Sequence, residues 1–204
     1  MKIRDLGQEE NTLVFYIADN GGPTQSTTSQ NGGLRGFKQT TFEGGPRVPF
    51  LMQWKGRIAG GQTYKNPVMN LDVLPTVLAA AGGQVEADGK LDGVDLAPYL
   101  TGANTARPHE TLYWRFSPQW AVRKGDLKLV QSTGGSGRPE LYDLSQDISE
   151  SKDLAAQMPD KVKELQALYD AWSAQQMEAT VPKEKPAKAA QPPKKKKKNA
   201  AAGT

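Results

Sequence analysis

Cysteine is absent from this 204-residue chain. That removes disulfides, thiolate-bound zinc and a cysteine nucleophile together. Histidine occurs once, at His109. A histidine-rich metal site is therefore excluded, and a Ser–His–Asp triad would have to be built around that one ring. No apolar run approaches the roughly 18–20 residues needed to cross a bilayer. The opening stretch MKIRDLGQEENT holds no hydrophobic signal core and reads as a polar lead-in to a strand.

Hydrophobic residues are also scarce, at 37% against roughly 45–50% for an average globular protein. Much of the deficit lies in the tail. From Glu178 onward the chain is rich in Pro, Ala and Lys and ends in the run Lys194–Lys198. Such a segment buries too little apolar surface to fold and is expected to be disordered. Its eight lysines and two glutamates turn a body of net charge −2 into a chain of +4. The body is thus not built to grip nucleic acid, and no nucleic-acid partner is expected.

Two apolar runs anchor what is there. Thr12–Ala18 (TLVFYIA) is β-branched and aromatic, suited to a strand buried on both faces in an α/β sheet. Val48–Trp54 (VPFLMQW) reads as a second buried strand. Between them, after Asp19-Asn20-Gly21-Gly22, about 25 residues pass with little apolar periodicity, a length that is usually functional or disordered. Ligands in open α/β sheets bind beyond the carboxyl ends of strands, where this loop begins. Asp72–Ala81 reads as a helix with Asp72 as N-cap, Pro75 in the first turn and Gly82-Gly83 as the stop. Its expected buried face is Val73, Leu74, Val77, Leu78 and Ala81.

Further on, Trp120–Arg123 and Leu127–Val130 read as strands joined by the hairpin signal Lys124-Gly125-Asp126. Glu140–Leu144 is a third. Pro159 opens a helix whose stripe is Val162, Leu165, Leu168, Tyr169 and Trp172.

Asp19-Asn20 has two readings. One is a turn, since Asn-Gly favours type I′ geometry; the other is a pair of hard oxygen ligands for Ca²⁺ or Mg²⁺. No strand follows directly, which weakens the hairpin. In Leu34–Phe50 (LRGFKQTTFEGGPRVPF), Lys38 is a compact point charge amid Thr and Gly donors. Arg47 could brace the loop through a carboxylate such as Glu43. The alternative is an ordinary solvated loop.

Together, DNGG and LRG-x-K-x-T-x-EGG-x-RVPF closely resemble the sulfatase family of the alkaline-phosphatase-like superfamily. The segments MNLDVLPTVLAAAG, LDGVDLAPYLTG, KGDLKLV and ELYDLSQDISESKDLA extend that resemblance over about residues 8–175. It implies an α/β fold, the C-terminal portion of an alkaline-phosphatase-like sandwich with a mixed sheet and helices, plus a small C-terminal α+β subdomain with an antiparallel sheet. The parts would be residues 1–112, residues 113–177 and the tail 178–204.

The resemblance also implies a hydrolase of sulfuric ester bonds, aryl or carbohydrate, with a divalent metal, usually Ca²⁺, and a formylglycine nucleophile made from Cys or Ser in C/S-x-P/A-x-R. Asp19 and Asn20 match the family's metal ligands after this strand, and Lys38 matches its sulfate-contacting lysine. Glu43 and Arg47 would support the loop. His109 falls outside the family's active-site histidines and is assigned a structural or surface role. The nucleophile motif and the other acidic ligands match nothing here, so a truncated or split member is expected, one that requires its missing N-terminal half as partner and is inactive alone. The family is often exported. Two alternatives are a phosphoesterase or phosphonate hydrolase of the same superfamily, and a non-catalytic remnant whose lysine tail binds polyanions.

Overall fold

The computed structural model describes residues 2–84, 91–133 and 137–177; the expected tail lies outside them. After the short helix α1 (Lys2–Asp5), strand β1 (Leu13–Ile17) pairs antiparallel with β2 (Phe50–Trp54) as a two-stranded sheet. Leu13 faces Trp54 across the ladder and Ile17 faces Phe50. Helix α2 (Val73–Ala80) and the single turn α3 (Ala97–Leu100) follow. A four-stranded antiparallel sheet in simple sequence order comes next: β3 (Thr111–Phe116), β4 (Gln119–Lys124), β5 (Leu127–Gln131) and β6 (Glu140–Asp143). Helix α4 (Pro159–Ser173) closes the described chain. No helix among the described residues is long and apolar enough to cross a membrane.

The core lies in the four-stranded sheet, and both its faces are covered. One face puts Val122, Leu129 and Leu141 against Leu165 and Tyr169 of α4. Its aromatic residues stack there: Trp120 on Tyr169 at 4.2 Å and Tyr113 on Trp172 at 4.9 Å between ring centres. Such pairs add to the burial itself, by about 0.5–1.5 kcal/mol each. The other face presents Ala121, Val130 and Tyr142 to Phe42, a residue of the long loop after β1. So the loop between the first two strands serves as the second cover of a sheet formed 80 residues later. Period-two alternation explains the split: Leu127 and Leu129 point toward α4, Lys128 and Val130 toward the loop.

Three sequence expectations change. β1 is not buried on both faces: its residues alternate between half-buried and exposed, because β2 is its only described neighbour. Helix α2 buries Pro75 and Thr76, while Leu74 and Val77 of the expected core face are exposed. Asp72 is no N-cap for α2 through its side chain. Its fully buried carboxylate accepts instead from the Met69 and Val94 backbone N–H groups and pairs with His109. The hydrogen-bonding side of the helix thus faces inward, toward residues 93–96, and the apolar side faces solvent. β3 has no expected counterpart, and Thr111, at the expected boundary between the two parts, opens it.

Tyr16 (67% exposed) and Leu51 (57%) are cross-strand partners, and Leu74 is 58% exposed. Uncovered apolar faces of this kind drive association. The chain is expected to bind a hydrophobic dye and to self-associate. Tyr16→Lys with Leu51→Lys should reduce both without altering the far-UV circular dichroism. A wild-type chain that stays monomeric and binds no dye would refute the expectation.

Candidate functional site

The turn after β1 and the loop that carries Lys38 are clamped together by backbone hydrogen bonds. Gly21 N–H donates to the Gly45 carbonyl (2.8 Å), Lys38 N–H to the Gly22 carbonyl (3.4 Å) and Gly44 N–H to the Arg35 carbonyl (2.6 Å). Asn31 ties the same point down: its side chain accepts from Gly22 N–H and donates to the carbonyls of Gly22 and Gly36.

Glycine is required on both sides, at Gly21 for the approach of turn to loop and at Gly45 for the tight fold of the loop on itself. A Cβ on Gly21 would meet the Gly44 oxygen at 1.7 Å, and one on Gly45 would meet the Thr40 oxygen at 2.0 Å. DNGG and EGG are therefore two halves of one backbone contact, not two independent turns.

Onto this clamp the functional candidates are mounted. Asp19 is exposed and Asn20 half-buried, with Asn20 Nδ2 donating to Asp19 Oδ1 (3.1 Å). That leaves the second carboxylate oxygen and the Asn20 amide oxygen without a hydrogen bond among the described residues. Lys38 is exposed and its ammonium has no ion-pair or hydrogen-bond partner among the described residues. The structure brings these residues to one corner through the Gly22–Lys38 bond. As a metal-binding set, Asp19 and Asn20 fit Ca²⁺ or Mg²⁺ in chemistry, being hard oxygen donors, but fall short in number: such ions take about six or more. No group of three or more acidic or histidine ligands gathers among the described residues.

Behind the corner lies a buried charge cluster. Glu43 is 3% exposed and Lys128 fully buried, with Lys128 Nζ donating to Glu43 Oε1 at 2.7 Å. Glu150, also fully buried, lies 3.0 Å from the same ammonium, and its Oε2 accepts from Glu43 N–H at 2.6 Å. Arg47 Nη1 sits 3.2 Å from Glu43 Oε2 on the outer side. Arg35 Nη1 donates to the Tyr142 hydroxyl (2.7 Å) and the Glu150 carbonyl (2.9 Å), while its guanidinium covers the Phe42 ring at 3.8 Å.

Burial would push both carboxyls up. At Glu43 the charge and hydrogen bond of Lys128, with Arg47 and Arg123, outweigh burial and hold it below the usual range. At Glu150 burial prevails and the carboxyl is raised.

Sequence reasoning reached the Glu43–Arg47 neighbourhood but missed Lys128, Glu150 and Arg35. The one legible signal was a lysine set between two leucines in the strand read at Leu127–Val130. His109 stands apart from this site, its ring nearly buried and Nε2 2.8 Å from Asp72 Oδ1.

Two outcomes follow from this geometry. Gly21→Ala should cost about 1–3 kcal/mol through forced backbone movement. Gly60→Ala, in open space, should be nearly neutral; equal denaturant midpoints for the two variants would refute the clamp. Glu43, with its folded value depressed, stabilises the fold above its unfolded value of about 4.5. That stabilisation is lost as pH falls through the depressed value. Glu150 works in the opposite sense, losing its contribution as pH rises through its raised value. Glu43→Gln should therefore flatten the acid limb of an unfolding-versus-pH curve, and an unchanged limb would contradict the assignment.

The comparisons with known proteins agree with one another. A family model described as Sulfatase matches residues 1–83. The chain is 30% identical over 205 residues to the uncharacterized sulfatase YdeN of Escherichia coli, covering 82% of this chain and 36% of that protein. It is 38% identical over 179 residues to arylsulfatase A of Bos taurus, covering 74% and 35% respectively. Among solved structures it resembles Ps i-CgsB, with TM-score 0.75, 28% identity and coverage of 84% of this chain and 38% of that one. It also shares its fold with the phosphonate monoester hydrolase of Agrobacterium radiobacter, at TM-score 0.62 and 20% identity, over 85% of this chain and 37% of that one. The chain spans about a third of the length of the curated relatives it matches. It belongs to the sulfatase family, within the alkaline-phosphatase-like fold, and corresponds to the C-terminal portion of those longer members.

Proposed function

We propose that the chain supplies the metal-binding and sulfate-binding edge of a sulfuric ester hydrolase, whose nucleophile comes from sequence outside these 204 residues. The observation that carries this reading is Lys38, whose backbone N–H bonds to the turn that presents Asp19 and Asn20 and whose exposed ammonium has no partner among the described residues. An unpaired, exposed lysine at a rigid corner beside two hard oxygen donors suits an oxyanion held between two cationic charges.

Asp19 and Asn20 would contribute two oxygen ligands to a divalent cation, Ca²⁺ by preference, with the remaining ligands from outside the chain. Such a cation withdraws charge from the oxygens of the ester. Lys38 binds the same group from the other side and stabilises negative charge on the leaving oxygen. Glu43 and Arg47 hold the loop and do not contact the substrate.

The ester class is set by the sulfate group itself. Relatives bear names as different as arylsulfatase A, steryl-sulfatase and N-acetylgalactosamine-6-sulfatase, and the sulfate is what these substrates share. The chain needs the rest of the enzyme to act, which the one-third coverage of its relatives supports. A phosphonate or phosphate ester is the second reading, favoured only by the shared fold with the phosphonate hydrolase.

The test joins the chain in frame behind the nucleophile-bearing portion of a full-length sulfatase and measures aryl sulfate hydrolysis with Ca²⁺. Lys38→Ala should lower kcat by about 10²–10³-fold, the cost of removing one oxyanion partner, and Asp19→Asn should weaken the Ca²⁺ dependence. Retention of wild-type turnover by Lys38→Ala in an active fusion would sink the reading. A preference for phosphonate esters over sulfate esters would move the assignment to the second.

A further inference from the structure

The corner that holds Lys38 is not self-supporting. Besides the packing of Phe42, residues 35–45 make polar contacts with the four-stranded sheet and the segment after it at three separate points. Arg35 reaches Tyr142 and the backbone of Glu150. Gln119, 9% exposed, donates from Nε2 to the carbonyl of Gln39, the residue beside Lys38. Glu43 is held through its side chain by Lys128 and through its backbone N–H by Glu150.

Backbone conformation marks the same junction. Among the described residues the only non-glycine positions with positive φ are Gln39 (73°) and Glu150 (52°). Left-handed backbone at such residues persists only where surrounding contacts impose it. Here the contacts that impose it run from one side of the junction to the other: Gln39 is fixed by the sheet and Glu150 by Arg35 of the loop. Two carboxylates that share one buried ammonium complete the arrangement.

We propose that Lys128 and Glu150 are positioning residues for Lys38: through Glu43 they fix the Glu43-Gly44-Gly45 corner, and thereby the register of the Lys38 loop on the Asp19-Asn20 turn. The inference rests on Lys38 as the sulfate-binding residue. The path is short. Glu43 leads directly to Gly44 and Gly45, whose backbone bonds to Arg35 and Gly21 set the loop against the turn. The Glu150 side chain bonds to Glu43 N–H and lies beside Lys128, so its substitution reaches Lys38 through that corner.

Hydrogen exchange read by mass spectrometry on the full chain tests this with Glu150→Gln, which keeps the shape and an acceptor for Glu43 N–H but removes the charge. Peptides covering residues 31–47 should exchange about tenfold faster, while peptides covering 119–131 change by less than about twofold. Lys128→Met combined with Glu150→Gln removes one charge of each sign and leaves Glu43 paired with Arg47, so it avoids a stranded buried charge. It should show the same split, and it decides the matter if the single variant fails to fold. An unchanged loop, or loop and sheet accelerating together in the double variant, overturns the proposal.

In the fused hydrolase, Glu150→Gln should lower kcat by about tenfold with KM within about twofold, the signature of a group lost from transition-state alignment. If Lys38→Ala is silent while Glu150→Gln still loosens the loop, the sulfatase reading fails and the positioning geometry stands. If Lys38→Ala abolishes turnover while Glu150→Gln leaves exchange and kcat unchanged, the positioning proposal fails alone.

Discussion

The seat of the Lys38 loop on the four-stranded sheet centres on one buried ammonium shared by two carboxylates, Lys128 between Glu43 and Glu150. Buried ion pairs are weak sources of net stability, since desolvation offsets most of the Coulomb gain. Breaking one is another matter, because the abandoned charge stays buried at a cost of about 3–5 kcal/mol. The cluster therefore acts less as an adhesive than as a register pin: any slip of the loop along the sheet strands a charge in the interior. Arg47 completes the balance from the solvent side, so Glu43 is answered by a buried cation and an exposed one. Glu150, with burial dominant, is the weaker acid of the two.

That pin explains the arrangement of the sheet. β4, β5 and β6 are covered by α4 on one face and by the loop after β1 on the other. The two covers differ in kind. The α4 face is apolar and aromatic, and its contacts are non-directional. The loop face is held by Phe42 together with Arg35, Gln119, Lys128 and Glu150, whose contacts fix position as well as burial. A loop with so few apolar residues could not be held by burial alone. Polar, directional contacts take over where the hydrophobic effect has little to act on, and they specify a geometry that apolar packing would leave looser.

Legibility in the sequence followed the range of the interactions. The strands β1 and β2, though not their pairing, the β4–β5 hairpin and α4 rest on local periodicity and turn chemistry, and were readable from Thr12–Ala18, Val48–Trp54, Lys124-Gly125-Asp126 and the stripe from Val162 to Trp172. The motifs DNGG and EGG were readable as motifs, but their physical purpose, one backbone packed on another, required coordinates. Asp72 shows how a local rule fails. Its position before α2 has the chemistry of an N-cap, yet His109, 37 residues later, and Val94 recruit the carboxylate instead. Lys128 was the hardest case, since its partners lie 85 residues upstream and 22 residues downstream. Nothing in the spacing of the chain announces such a pairing.

The proposed metal ligands and the exposed Tyr16–Leu51 pair belong to the same strand pair. Asp19 and Asn20 follow β1 directly, and β1 carries exposed Tyr16 opposite exposed Leu51. Strands β4, β5 and β6 show no comparable deficit, being covered on both faces. On the proposed reading, a carboxylate and an amide too few to hold a divalent cation thus sit at the end of a strand with an uncovered apolar face. One added layer on β1 and β2 could bring oxygen donors to the first and apolar burial to the second, so completing the metal edge and completing the sheet would be a single structural event. On the sulfatase reading, assembly of the ion site and stability of the β1–β2 pair are then thermodynamically linked. Whatever binds the metal also favours the covered sheet, and whatever covers the sheet tightens the metal. The Lys38 corner, pinned from behind by Lys128, would be the fixed reference against which that layer closes.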